Sequence, residues 1–427
     1  MQMRSVGLSD EQRLLVETTR EFVDDVVRPW IREHRDDEWL APPEERVPWQ
    51  LVRAADEIGL RTLAIPERWG GVELEQPAQT LALVAEEISR GDVGLADILT
   101  QVWKVSVLLG ACAPEHLQAE WFPRIVGDPS FVLAHALTEP RGASDRWLPY
   151  NVPEAAMETR AVQDGDEWVL NGRKQFISNG YDAKLYVVYA NTDPTAGVLD
   201  GTSSFLVPRD TPGFQVGRVH EKIGARLMNN AELSFDDCRV PADHLLVANE
   251  ALKKAAVYFR AGKILVAAKN LGTGVAAFEE TSRYVQEHVQ GGSVLIQHQI
   301  VAAHVADMAI KVEAARAFVR YAARALDERT ADADALCLMA KVHTAELVFD
   351  VARTAVELHG GSGAMRDAGI EKHLRDATIG FHTDGTNDIH RFKIAKALFP
   401  ERAGTYAGAN GAGARSRSTE AVSAVVG

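Results

Sequence analysis

The sequence predicts a mainly α-helical protein with a β domain in its middle: an N-terminal α-helical domain over 1–130, a β domain over 131–247, a C-terminal helix-bundle domain over 248–402 and a flexible tail over 403–427. Three observations point there. The apolar period changes from helical spacing to about two near Phe131 and returns to helical spacing after Val247. The length of 427 residues exceeds what one domain usually holds. A composition of 46% hydrophobic and 25% charged residues suits a globular chain with a large core.

In order along the chain, "LSDEQRLLVETTREFVDDVV" opens with Ser9 as N-cap and Gln12 as its capping-box partner, then repeats apolar residues at helical spacing. The breaks "APPEERVP", "IPERWGG" and "ACAPEH" are too short for linkers. "DEWVLNGRKQFISNG", "AKLYVVYANT", "SSFLVPRD", "FQVGRV" and "AELSFDD" are β-rich runs divided by Gly, Pro and Asp turns, as in a sheet or small barrel. After "RVPADHLLV" long helices return, and Val301, Val305, Met308, Val312, Ala315 and Val319 form an apolar seam for a bundle. The tail is rich in Gly, Ala and Ser.

Charge and composition exclude several classes. A formal net charge of -14 with interleaved signs argues against nucleic-acid binding, which needs a basic face. Cys112, Cys238 and Cys337 are far apart and lack CxxC spacing, which suits a reducing cytoplasm and supports neither a disulfide framework nor zinc. The 13 histidines show no metal-ligand spacing, so no metal is expected. The N-terminus lacks an apolar signal core, so a cytoplasmic protein without membrane association is expected. "GTGVAA" from Gly272 fits a loose dinucleotide pattern, but it lies in a helical stretch with no strand ahead of it and reads as close helix packing.

The stretch "FHTDGTNDIH" at 381–390 is the most unusual. Asp, Gly, Thr and Asn are what a loop capping the next helix should contain, so locally Asp384 reads as a turn residue. A second reading, that Asp384 is a catalytic base, comes from the order of the other loops. "ALTEPRGASD", "GRKQFISNG", "KIGARLMNNAELSFDDCRVPADHLL", "ELHGGSG" and "HTDGTND" follow one another through the helix, sheet, helix-bundle layout. In that order and near that spacing the chain resembles the acyl-CoA dehydrogenase family from about Leu8 to Leu398.

The resemblance implies a middle β-barrel, a C-terminal four-helix bundle and an FAD-dependent enzyme. Such an enzyme removes a proton α to a thioester carbonyl while hydride leaves the β carbon for flavin N5. It implies that Leu137, Thr138, Ser144, Phe176 and Ser178 meet the flavin, with Ser144 also touching the thioester and Lys263 near the CoA arm. His288, Gly292 and Gln299 match diphosphate positions, Glu357 and Gly361 approach FAD from a neighbouring subunit, and Thr386 and Asp388 complete the cofactor site. Plain turns, an edge-strand Phe and a helix C-cap account for the same letters.

The departures are specific. The family's usual Arg is His288 here, beside a Gly291-Gly292 turn, so a fixed guanidinium is lost. "RWLPYNVPEAAMETRA" is longer than the family norm and carries Trp147 and Tyr150; it either walls the substrate mouth, covers a subunit contact or is a plain surface loop. Asp384 stands where most of the family has Glu, one methylene shorter, and its pKa is expected to be raised by desolvation. Some relatives place the base on a bundle helix, but the matching position is Gly262. Asp97, in the apolar run "VGLADILTQVWKVSVLL", faces solvent or a helix end on the bland reading and serves as a second acid beside the acyl pocket on the other. Relatives that desaturate ring-bearing acyl-CoAs use Asp as base, so the resemblance implies that two Asp residues there serve a cyclic or branched acyl group.

The expected substrate is an acyl-CoA or a carrier-protein thioester. The expected acceptor is an electron-transfer flavoprotein and the expected assembly a homotetramer. Two other readings fit the sequence: a flavin oxidase or monooxygenase acting on a non-thioester carbon acid, and a non-catalytic flavin-binding partner subunit.

Overall fold

The structure is a computed structural model that describes residues 7–147, 151–400 and 403; Tyr150 and all of the tail but Ala403 lie outside them. The N-terminal helices begin with α1 (Asp10–Phe22), closed by the predicted capping box: Gln12 N–H donates to Ser9 Oγ and Ser9 N–H to Gln12 Oε1, both at 3.2 Å. Then come α2 (Trp49–Glu57), α3 (Pro77–Gly91), α4 (Val93–Cys112) and α5 (Glu115–Gly127). Asp92 caps α4 by accepting from Leu95 N–H at 2.9 Å. Apolar nearly all round, α4 is long enough to cross a membrane by length and composition. Here it is a core helix packed against α3, the strand Leu133–Ala136 and the long helix Ala256–Glu287.

The middle of the chain forms β1 (Leu133–Ala136), β2 (Arg160–Asp164), β3 (Glu167–Ser178), β4 (Leu185–Asn191), β5 (Thr202–Pro208), β6 (Phe214–Val219), β7 (Asn230–Pro241) and β8 (Leu245–Val247). They join one eight-stranded sheet in the order β6-β7-β3-β2-β4-β5-β8, with β1 parallel to β4. Its apolar interior is built on Leu170, Tyr186, Val188, Phe205, Leu233 and Phe235. Pairing of β3 with β7 slips between Lys174 and Ile177, and Phe176 there adopts φ +59°. The bulge turns Phe176 out of the sheet, leaving it 56% exposed.

The C-terminal bundle comprises α6 (Ala256–Glu287), α7 (Gln299–Asp327) and α8 (Ala333–Leu358), followed by α9 (Glu371–Ile379) and α10 (Asn387–Leu398). Met308, Val312, Ala315 and Val319 of the predicted seam are buried, while Val301 and Val305 are half-buried. Gly272 lies inside α6 as the packing reading requires: a Cβ there would collide with the Glu86 carbonyl of α3. Between α6 and α7 a two-stranded hairpin, β9 (Val289–Gln290) and β10 (Ser293–Val294), turns through Gly291 at φ +64° and Gly292 at φ +85°. Two consecutive left-handed residues make that turn, which explains the Gly pair.

Candidate active site

A cavity of about 730 Å³ lies where α4, the end of β1, the β3 bulge, the start of α6 and the loop before α10 meet. Asp384 lines it from a strained loop, with φ +54° at Asp384 and +108° at Gly385. Left-handed backbone costs a non-glycine residue roughly 1–2 kcal/mol, so surrounding bonds must hold it. Lys341 of α8 does so from beneath, donating to Gly385 O at 3.0 Å, Phe381 O at 3.4 Å and Asn387 Oδ1 at 2.7 Å. His390 Nε2 meets Asp384 O at 3.2 Å, and Thr386 caps α10 by accepting from Ile389 N–H at 3.3 Å. Asp384 is thus both a turn residue and a carboxylate aimed at the cavity.

The electrostatics differ from expectation. Burial alone would raise the Asp384 pKa, but the ammonium groups of Lys104, Lys263 and Lys269 outweigh it and hold the carboxyl well below the usual range. Lys104 Nζ sits 3.2 Å from Asp384 Oδ2. The expected raised pKa is therefore corrected: lysines converge on this acid from two helices. Position 262 opens on the same spot, since a Cβ on Gly262 would lie 2.9 Å from Asp384 Oδ2.

Along α4, Asp97, Gln101 and Lys104 share one face, spaced i, i+4 and i+7, and all line the cavity. The solvent-facing reading of Asp97 is corrected, for it is only 8% exposed and forms an ion pair with Lys269 of α6. Gln101 Nε2 donates to Tyr258 Oη at 3.3 Å. Burial and the nearby Lys104 charge push the His135 pKa well down, so the ring is neutral; it stacks on Tyr258 with centroids 4.0 Å apart.

The opposite wall carries Leu137, Thr138, Ser144, Phe176 and Ser178. Gln175 N–H donates to Thr138 O at 2.8 Å, tying the β1 end to the β3 bulge that displays Phe176. The buried ion pair Lys174–Glu139 at 2.9 Å fixes the same corner, and Glu139 also accepts from the N–H groups of Glu158 and Thr159. Phe176 packs against His220 at 4.7 Å, and His220 Nε2, 3.9 Å from Glu232 Oε1, is buried without a hydrogen-bond partner among the described residues. An exposed aromatic ring, hydroxyls and an unmet ring nitrogen on one cavity wall fit a flat heteroaromatic cofactor such as a flavin.

Other predicted residues lie elsewhere. Lys263 is buried behind the wall of this cavity, where burial lowers its pKa to about 8, rather than on its lining. Asp388 points outward and pairs with Arg391 at 2.9 Å. His288, Gly292, Gln299, Glu357 and Gly361 are exposed at the far end of the bundle. His288 follows the end of α6, roughly 40 Å along it from Gly262 at 1.5 Å per residue, so it cannot share the cavity with Asp384. Tyr284 stacks on His288 at 4.8 Å and on His359 at 4.0 Å, and Tyr284 and His359 line a second cavity of about 670 Å³.

Sequence reading missed Lys104, Lys269, Tyr258 and Arg146. The signal for Lys104 was present: a lone lysine two turns after Asp97 in the same apolar run, hence on the same helix face. Lys269 stands likewise two turns after Gly262 on α6. Of the long loop after Asp145, Trp147 lines the cavity with Arg146, which supports the walling reading.

Comparison with known proteins agrees with this layout. The chain matches the acyl-CoA dehydrogenase N-terminal domain over residues 9–128, the middle domain over 134–238 and the C-terminal domain over 252–399. It is 34% identical to a cyclohex-1-ene-1-carbonyl-CoA dehydrogenase of Geobacter metallireducens across 92% of this chain and 99% of that one. The structure of butyryl-CoA dehydrogenase from Megasphaera elsdenii superposes with a TM-score of 0.83 at 27% identity, covering 92% of this chain and 98% of that one. A prolyl acyl carrier protein oxidase is similar too, with a TM-score of 0.82 at 25% identity, covering 92% of this chain and all (100%) of that one.

Proposed function

This chain belongs to the acyl-CoA dehydrogenase family, and we propose that it desaturates a cyclic or branched acyl thioester between its α and β carbons, with Asp384 as the base. It is an FAD-dependent oxidoreductase, and the cofactor, when bound, accepts the hydride. Leu137, Thr138, Ser144, Phe176, Ser178 and Thr386 would hold the cofactor's reactive end, while His288, Gly292, Gln299, Glu357 and Gly361 would serve the cofactor of a neighbouring copy in a homotetramer. Electrons would leave to an electron-transfer flavoprotein.

The observation that carries this reading is the Asp384 carboxylate on the wall of the cavity, paired with Lys104. In that pair the carboxylate is a weak base, because protonating it would strand a buried ammonium. A thioester carbonyl oxygen offers Lys104 another acceptor. Once Lys104 turns to it, Asp384 becomes more basic as the α proton becomes more acidic, and the ammonium stabilises the enolate-like oxygen. The shorter Asp leaves room for a bulky acyl group, and the similarity to an enzyme named for a cyclohexene thioester supports a ring.

The test is anaerobic flavin bleaching by a panel of acyl-CoAs. Faster reduction by alicyclic or branched thioesters than by butyryl- or octanoyl-CoA is expected; a straight-chain preference would remove the bulky-substrate reading. The likeness to a prolyl acyl carrier protein oxidase supports a second reading, an oxidase acting on a carrier-protein thioester, and oxygen consumption with such thioesters would identify it.

A further inference from the structure

We propose that the acyl group received by this cavity carries a second anionic group, a carboxylate, and that Arg146 binds it; the inference rests on the thioester reading above. Arg146 belongs to the loop after Asp145 and lines the cavity with Lys104, Tyr258, Phe259 and Asp384. Its guanidinium carbon lies 4.3 Å from the Phe259 ring centroid and 4.8 Å from that of Trp147. Two aromatic rings therefore hold the planar group and cannot satisfy its N–H donors. Nε and Nη1 are buried and have no hydrogen-bond partner among the described residues.

The other cations on the cavity wall are already met. Lys104 pairs with Asp384, Lys269 with Asp97, and Arg218 lies 3.7 Å from Glu232. Lys222 donates to Met228 O at 2.6 Å and Asn230 Oδ1 at 2.8 Å. Arg146 alone among the lining cations has neither a carboxylate nor a hydrogen-bond acceptor among the described residues. Burial lowers its pKa to about 10, which still leaves it charged near neutral pH. A guanidinium so placed is costly until an anion meets it, and a carboxylate matches its planar donor edge. Arg146 and Asp384 line the same cavity, so the anion it awaits shares that chamber with the reacting carbons. A CoA phosphate is the other source of such a charge, and the arms below separate the two.

The experiment compares the mono-CoA thioesters of succinic, glutaric, adipic and cyclohexanedicarboxylic acids with their methyl esters on the FAD-loaded enzyme. Flavin reduction gives kcat/KM and calorimetry gives binding, with free CoA as a control. At least one free acid should exceed its ester by about tenfold or more. Arg146→Gln should abolish that ratio and leave FAD content, Tm and free-CoA affinity unchanged, and Arg146→Lys should restore part of it. Equal acids and esters in the native enzyme would overturn the proposal. So would an Arg146→Gln variant that weakens free CoA while keeping the acid-to-ester ratio. If no thioester bleaches the flavin yet the acids still bind better through Arg146, the dehydrogenation reading fails and the carboxylate site stands.

Discussion

Lys104 Nζ on α4 lies 3.2 Å from Asp384 Oδ2 in the loop before α10, joining residues 280 positions apart in the wall of one cavity. Both are largely buried, with side chains 4% and 20% exposed. The pair makes the acid an anion at any ordinary pH and links its basicity to where the lysine points.

Lys104→Met removes that charge while keeping an apolar stem. The Asp384 pKa, held low by Lys104, Lys263 and Lys269, then rises. A base works when deprotonated, so the acid limb of kcat/KM for flavin reduction, which lies below the ordinary pH range in the native enzyme, should move to higher pH in the variant. An unmoved limb would show that Lys104 does not set the basicity of Asp384.

Gly262→Ala probes the same spot from α6. The new Cβ would sit 2.9 Å from Asp384 Oδ2 and 3.4 Å from Lys104 Cδ, so the carboxylate must shift. Displacements of ~1 Å can cost ~10²-fold in rate, so a loss of about tenfold is expected for this smaller one, with FAD retained. Full activity would mean that the position of Asp384 is not critical.

Asp97→Asn leaves Lys269 buried without its ion-pair partner, which should destabilise the fold by about 3 kcal/mol or more. Adding Lys269→Met should recover most of the Tm. If Asp97 orients a ring or acts on a more distant carbon, the preference for alicyclic thioesters disappears in both variants. Recovery of that preference with the Tm would make Asp97 purely structural.

His288→Arg restores a fixed positive charge next to the Gly291-Gly292 turn, at an exposed site stacked on Tyr284. FAD should bind about three- to tenfold more tightly by fluorescence titration, with the gain shrinking at high salt. Unchanged affinity would remove His288 from the diphosphate site.

The architecture was legible because it follows local rules. The Ser9–Gln12 box, the Gly272 helix and the bundle seam were each read from spacing and capping chemistry. Asp384, Thr138, Ser144, Phe176 and Ser178 were legible as loop motifs, and the structure brings them to one cavity. The charge environment was not legible, because it depends on which helices face one another. Nothing near position 384 announces Lys104 or Lys269, and Asp97 looked like an isolated acid until α6 supplied its lysine. Arg146 escaped notice in a loop where Trp147 and Tyr150 were the conspicuous letters.

The most direct test of Asp384 as the base is the rate of anaerobic flavin reduction by the best alicyclic or branched acyl-CoA in the native enzyme and in Asp384→Asn. The amide keeps the size and most hydrogen bonding of the carboxylate but cannot take a proton. Reduction should fall by at least ~10²-fold in the variant, with FAD still bound and the acyl-CoA still binding. Near-normal reduction by Asp384→Asn would contradict it and leave Asp384 as the turn residue that its local sequence already explains.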